Sequence, residues 1–299
     1  MKHFLSLETC EHHDLVRLLD LADQMKATRG QSNLQPLQGQ TWALIFSKSS
    51  TRTRVSFEVG IRELGGKVIF LAASEMQLGR GEPIKDTARV LGRMVHGAVI
   101  RTYDHQDVVD FAHYGRIPTV NALTDHAHPC QIVADLMTIR ARLGGLEDKV
   151  ITFVGDGACN VATSWIYAAM KFGFRLNVAC PKGFAPDVDL VRQAGSNVQV
   201  TEDLKAAAEG SDVLYTDVWI SMGKETESES RLAQFAGYQI DHALMDLAKP
   251  GALLMHCLPA YRGKEVTEAI LEAHADTIFD QAENRLHAQK AVMRWCLGK

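Results

Sequence analysis

The chain has 299 residues, 46% hydrophobic and 23% charged, a balance that suits a soluble globular protein long enough for two cores of ordinary domain size. A formal net charge of −4, with no run of Lys or Arg, excludes the electrostatic footprint of a nucleic-acid binder. The six cysteines at 10, 130, 159, 180, 257 and 296 form no CxxC pair and no even spacing, which argues against a disulfide framework or a zinc ribbon.

Reduced thiols in the cytoplasm are therefore expected. The N-terminal stretch is interrupted by Glu8, Glu11 and Asp14 and lacks the apolar region of a signal peptide, and no apolar run reaches the length of a membrane span. Neither secretion nor a membrane partner is expected.

Leu15, Leu18, Leu19, Ala22 and Met25 fall on one face at helical spacing and predict an amphipathic first helix. Short apolar runs at 42–46, 67–71, 98–101 and 118–122 then alternate with helical stretches at 54–64, 86–94 and 106–113. That repetition implies a parallel sheet covered on both faces. A strong helix over 130–143, with Ile132, Leu136 and Ile139 on one side, is stopped by Gly144 and Gly145.

The pattern then restarts, with strands at 150–154, 175–179, 213–218 and 253–256 and helices near 162–172, 188–194 and 242–248. The expected architecture is α/β, two doubly wound parallel-sheet domains with an active site in the cleft between them. The boundaries predicted are 1–143 for the first domain and 144–281 for the second, with a final helix over 282–299 packing back on the first. Ligands of open parallel sheets bind beyond the carboxyl ends of the strands, so unusual residues there carry the functional reading.

The strand 42–46 is followed at once by Ser47, Lys48, Ser49, Ser50, Thr51, Arg52, Thr53 and Arg54 at the start of a helix. A phosphate dianion seeks free backbone amides, hydroxyl donors and guanidinium forks, and a helix N-terminus adds a favourable dipole. One hydroxyl here would be an ordinary N-cap, whereas Ser50, Thr51, Arg52 and Thr53 together make a phosphate cradle. The segment resembles the carbamoyl phosphate signature of the aspartate and ornithine carbamoyltransferases. The resemblance implies that Ser50, Thr51, Arg52 and Thr53 hold the phosphate.

Arg101 to Tyr103 (RTY) and His128 to Gln131 (HPCQ) are similar to the family's next two motifs. The resemblance implies that Arg101 and His128 bind the carbonyl oxygen, where attack develops negative charge, and that Gln131 binds the carbamoyl nitrogen. The segment 77–93 resembles the loop and helix through which a neighbouring subunit reaches the site, so Gln77 would act in trans in a homotrimer. Arg285, near the start of the last helix, would complete the carbamoyl phosphate site.

An amino-acid acceptor needs a carboxylate for its α-ammonium and donors for its α-carboxylate. Asp217, Ser221, Met222 and Gly223 resemble the ornithine loop that the aspartate branch lacks. Asp217 and Ser221 would bind the α-ammonium and the Met222 backbone the α-carboxylate; the acidic stretch 225–229 fits a lid.

The segment GDGACN at 155–160 competes as a dinucleotide fingerprint, because Gly155 and Gly157 follow a strand and precede a helix. It fails because the sixth position is Asn160, not a small residue, and the next strand ends in Ala179, Cys180 and Pro181 with no acidic residue for a ribose. Asn160 matches the family's carboxylate-binding asparagine, while Cys159 stands where a second asparagine is frequent.

His256, Cys257, Leu258 and Pro259 match the HCLP motif of the ornithine branch. Adjacent residues of a strand point to opposite faces, so His256 and Cys257 do not form a nucleophilic dyad. By resemblance, Cys257 lies with Asp217 near the δ-amine, and the Cys257 and Leu258 carbonyls accept from the carbamoyl nitrogen.

The resemblance spans the chain. It implies an enzyme that carbamoylates the δ-amine of ornithine, a step of arginine biosynthesis yielding citrulline and phosphate, with Arg101, His128, Asp217 and Cys257 as catalytic residues. No metal or organic cofactor is required, because the donor is already activated. The competing readings are a carbamoyltransferase for putrescine or an N-acylated ornithine, and a non-catalytic ligand-binding relative.

Overall fold

The computed structural model describes residues 2–72, 81–220 and 228–298. The chain divides into two compact units, one running to Met137 and resuming at Glu283, the other spanning Thr138–Ala282.

The first unit begins with α1 (His12–Ala27), β1 (Thr41–Phe46), α2 (Thr51–Glu63), β2 (Lys67–Ala72) and α3 (Ile84–Leu91). It continues through β3 (Gly97–Arg101), α4 (His105–Gly115), β4 (Thr119–Leu123) and α5 (Pro129–Leu143), the helix within which the division falls. The sheet is parallel, in the order β2-β1-β3-β4. Every residue of β3 is buried, which explains why it reads as a continuous apolar run and not as an alternation.

α1 buries Leu15, Leu18, Leu19, Ala22 and Met25, the face its period predicts. One core joins Ala43 and Ile45 of β1 to Ala98 and Ile100 of β3, Val108 and Phe111 of α4. Gly97 is required there: a Cβ would lie 2.5 Å from the Trp42 ring.

The second unit contains β5 (Val150–Val154), α6 (Asn160–Phe172), β6 (Arg175–Ala179), α7 (Val188–Ala194), β7 (Val198–Thr201) and α8 (Leu204–Ala208). After these come β8 (Val213–Thr216), α9 (Ser228–Gln234), α10 (His242–Met245), β9 (Leu253–His256) and α11 (Glu268–Ala273). The last helix, α12 (Ala275–Cys296), starts in this unit and ends in the first.

The second sheet is parallel too, in the order β7-β6-β5-β8-β9. Two of its features were not expected from the sequence. β7 is a fifth strand at the sheet edge, only four residues long with one side chain fully buried, so it carries too little apolar signal. α12 begins at Ala275, not at 282; its first turns hold Asp276 and Asp280 and leave Phe279 56% exposed, which blurs the helical stripe. Among the described residues, no helix is long and apolar enough to cross a membrane.

Candidate active site

In the first unit the sites sit where β1, β3 and β4 end. Ser50 caps α2, its hydroxyl accepting from the Thr53 backbone N–H at 3.2 Å. The first turn of α2 contains no acidic residue, so the helix itself places no carboxylate against an anion at its positive end. Thr51 and Arg52 are exposed there, while Thr53 is buried. Arg101 is the residue opposite Phe46 in the β1–β3 register, and its carbonyl accepts from Ser47 N–H at 2.8 Å. A register shift beside it, between Ile100 and Arg101 against β4, sets the direction of the strand end.

Arg285 links these pieces. It donates to Gln131 Oε1 at 2.5 Å and to Thr53 Oγ1 at 3.4 Å, although these residues come from three distant parts of the sequence. Gln131 is held in turn by Asp135, which accepts from its Nε2 at 2.8 Å. His128 is buried beside Arg285 and Arg101; desolvation first, then the two guanidinium groups, hold its pKa well below the ordinary histidine value. Its imidazole is therefore neutral, a hydrogen-bonding group and not a charge.

In the second unit, Asn160 starts α6 at the end of β5, and Cys159 caps the helix, its Sγ accepting from Ala162 N–H at 3.4 Å. Gly157, one of the two glycines of the dinucleotide-like segment, has a packing role: a Cβ would lie 2.8 Å from the Phe184 carbonyl oxygen. Asp217 follows β8 and Cys257 follows β9, the neighbouring strand. The Cys257 thiol donates to Asp217 Oδ1 at 3.0 Å, and the Val218 N–H donates to the same oxygen at 2.7 Å. Burial is the largest influence on Asp217 and raises its pKa, against the lowering effects of His256 and of the Cys257 and Val218 hydrogen bonds.

Each unit thus gathers its own group of predicted residues. The first brings Thr53, Gln131 and Arg285 into contact and places Arg101 and His128 beside them; the second joins Asp217 to Cys257. Gln77, Ser221 and Met222 lie outside the described residues.

Two family models match the chain: the carbamoyl-P binding domain of aspartate/ornithine carbamoyltransferase over residues 2–141 and the Asp/Orn binding domain over 147–296. The chain belongs to the aspartate/ornithine carbamoyltransferase family.

Among its relatives, the ornithine carbamoyltransferase of Akkermansia muciniphila is 54% identical, over 98% of this chain and 97% of that one. That of Methanothermobacter thermautotrophicus is 49% identical over 100% and 99%. The crystal structure of the anabolic ornithine carbamoyltransferase from Campylobacter jejuni superposes with a TM-score of 0.94 at 39% identity, covering 100% of this chain and 99% of that one.

The burial and pairing of several charged groups of this carbamoyltransferase chain escaped the sequence reading. Lys48, buried under the Tyr103 ring at 4.0 Å, pairs with Asp125 and so ties the cradle to the approach of His128. Arg231 pairs with Asp156, both buried, and its Nε donates to the Trp219 carbonyl at 3.1 Å. Charge burial leaves no mark in a single sequence.

Among the described residues, Asp217, His256 and Cys257 form the one grouping close enough to share a metal ion, their ligand atoms lying within 4.8 Å. Its chemistry does not fit. His256 Nδ1 accepts from Leu258 N–H at 2.8 Å and Nε2 lies 3.2 Å from Glu265 Oε1, so ligation would break one of two buried bonds.

Proposed function

We propose that this enzyme transfers the carbamoyl group of carbamoyl phosphate to the δ-amine of L-ornithine, giving L-citrulline and phosphate. It does so as a cytoplasmic homotrimer serving arginine biosynthesis. Ser50, Thr51, Arg52, Thr53 and Arg285 hold the phosphate, with Gln77 contributed by a neighbouring subunit. Arg101 and neutral His128 donate to the carbonyl oxygen, and Gln131 holds the carbamoyl nitrogen together with the Cys257 and Leu258 carbonyls. Asn160 and the Met222 backbone bind the α-carboxylate of ornithine, Asp217 and Ser221 its α-ammonium.

The deprotonated δ-amine attacks the carbonyl carbon and forms the new C–N bond. Negative charge gathers on the oxygen that faces Arg101 and His128, and collapse of the tetrahedral intermediate breaks the bond to phosphate, which departs with the proton released by the attacking nitrogen. Cys257 and Asp217 hold the δ-amine and ease loss of its proton, since an ammonium near its ordinary pKa does not attack.

The observation that carries this reading is the Cys257–Asp217 hydrogen bond at adjacent strand ends, with Asn160 at the end of the next strand, β5. That set offers a carboxylate for an amine and an amide for a carboxylate. A diamine such as putrescine leaves the amide unused. The test is to mix enzyme, carbamoyl phosphate and ornithine and to quantify both products: citrulline and phosphate should appear in equal amounts. Phosphate release that is independent of ornithine and gives no citrulline would contradict the reading.

A further inference from the structure

Glu265 is completely buried in the segment between β9 and α11, next in sequence to Val266, which belongs to the same apolar core as Ile270 and Leu271. Its Oε1 accepts from the Tyr261 N–H at 2.6 Å and lies 3.2 Å from His256 Nε2. Its Oε2 is buried with no hydrogen-bond partner among the described residues. A carboxylate so incompletely satisfied is costly in an apolar core, where a hydrophobic side chain of similar volume would cost less.

What the carboxylate does is fix a tautomer. His256 Nδ1 accepts from the Leu258 N–H at 2.8 Å, so that nitrogen carries no hydrogen, and the ring proton sits on Nε2, directed at Glu265. With the proton on Nδ1, two donors would face each other and Leu258 would lose its bond. Leu258 has a φ of 56°, in the left-handed region that a branched side chain disfavours, so an external tie is needed to hold it there. The backbone N–H of His256 is itself anchored on Gln281 Oε1 at 3.0 Å.

We infer that Glu265 is a positioning residue for the reaction, acting through His256 to set the backbone of the Cys257–Leu258 turn. The inference rests on the reading above, in which the carbonyls of that turn accept from the carbamoyl nitrogen. Glu265 touches neither substrate. It determines where the turn stands when the donor arrives.

The test uses the full-length enzyme with both substrates varied, and thermal unfolding measured alongside. Glu265→Gln keeps the shape, but its amide can turn an NH2 toward His256 Nε2 and so no longer enforces the proton there; kcat/KM for carbamoyl phosphate should fall about tenfold, with ornithine KM within about twofold. His256→Asn presents Oδ1 where Nδ1 stands and still accepts from Leu258, whereas His256→Gln places its amide at the Nε2 position. His256→Asn should therefore retain more turnover than His256→Gln. The inference is overturned if Glu265→Gln matches wild type in the carbamoyl phosphate parameters, if it only lowers Tm and the active fraction with both KM values unchanged, or if His256→Gln equals or exceeds His256→Asn. A wild-type enzyme that makes no citrulline would overturn the underlying reading instead, before any variant is compared.

Discussion

The thiol of Cys257 donates a hydrogen bond to Oδ1 of Asp217 across 3.0 Å, joining the ends of two neighbouring strands. The bond stabilises the ionised carboxylate, while burial opposes it. A carboxylate whose pKa is raised in this way can receive a cationic amine and accept its proton.

Cys257→Ala removes that donor. The Asp217 pKa should then rise further, because one of its lowering influences is gone. Turnover should fall about 10- to 100-fold, within the range typical of lost proton-transfer assistance. The acid limb of the kcat profile should also move to higher pH. An unchanged rate and an unchanged profile would sink this role for Cys257.

Asp217→Asn separates stability from activity. A carboxyl whose folded pKa is raised contributes most to stability when protonated at low pH, and that contribution fades as pH climbs from the ordinary carboxylate value through the raised one. Asparagine mimics the protonated form and keeps an oxygen for Cys257 and Val218. At neutral pH the variant should melt a few degrees above wild type, on the scale of about 1 kcal/mol, yet lose ornithine turnover. Calorimetry showing a lower Tm would contradict the assignment.

Arg231→Met leaves Asp156 buried without its ion-pair partner. Stranding a buried charge costs about 3–5 kcal/mol, so the denaturant midpoint should drop sharply, and adding Asp156→Asn should restore part of the loss. Asp156 Oδ1 also accepts from the Ala158 N–H at 3.0 Å, two residues before Asn160. Ornithine KM should rise with it, while carbamoyl phosphate KM stays near wild type.

Ser50→Ala removes the cap of α2 and one hydroxyl of the cradle. The cap should cost about 1 kcal/mol in unfolding experiments. Carbamoyl phosphate KM should rise about tenfold, as for the loss of about 1.4 kcal/mol of binding. Ornithine KM should not change.

The strand–helix alternation was legible because a parallel strand buried on both faces is mainly apolar, as β3 is up to Arg101 and β5 is apart from Thr152. Residues at strand ends were legible for the converse reason: Arg101, Asp217 and His256 interrupt or close apolar runs with chemistry that packing does not require. β7 was not legible, since Gln199 and Thr201 leave it only two apolar positions at the sheet edge. Nor were the supporting partners. Asp156 and Arg231 stand 75 positions apart, and Glu265 lies in a segment that reads as an ordinary charged loop. Which charges become buried depends on tertiary packing, and the local pattern does not encode it.

Whether the second unit is built for ornithine is decided by the choice of acceptor. Carbamoyl phosphate should be offered with ornithine, putrescine, N-acetylornithine and aspartate in parallel, and each carbamoylated product quantified. Turnover with ornithine alone is the predicted result, because only ornithine supplies the α-carboxylate for Asn160, the α-ammonium for Asp217 and a separate side-chain amine to accept the carbamoyl group. Turnover confined to another acceptor would contradict it, leaving the carbamoyl phosphate cradle intact and overturning the account of Asn160, Asp217 and Cys257.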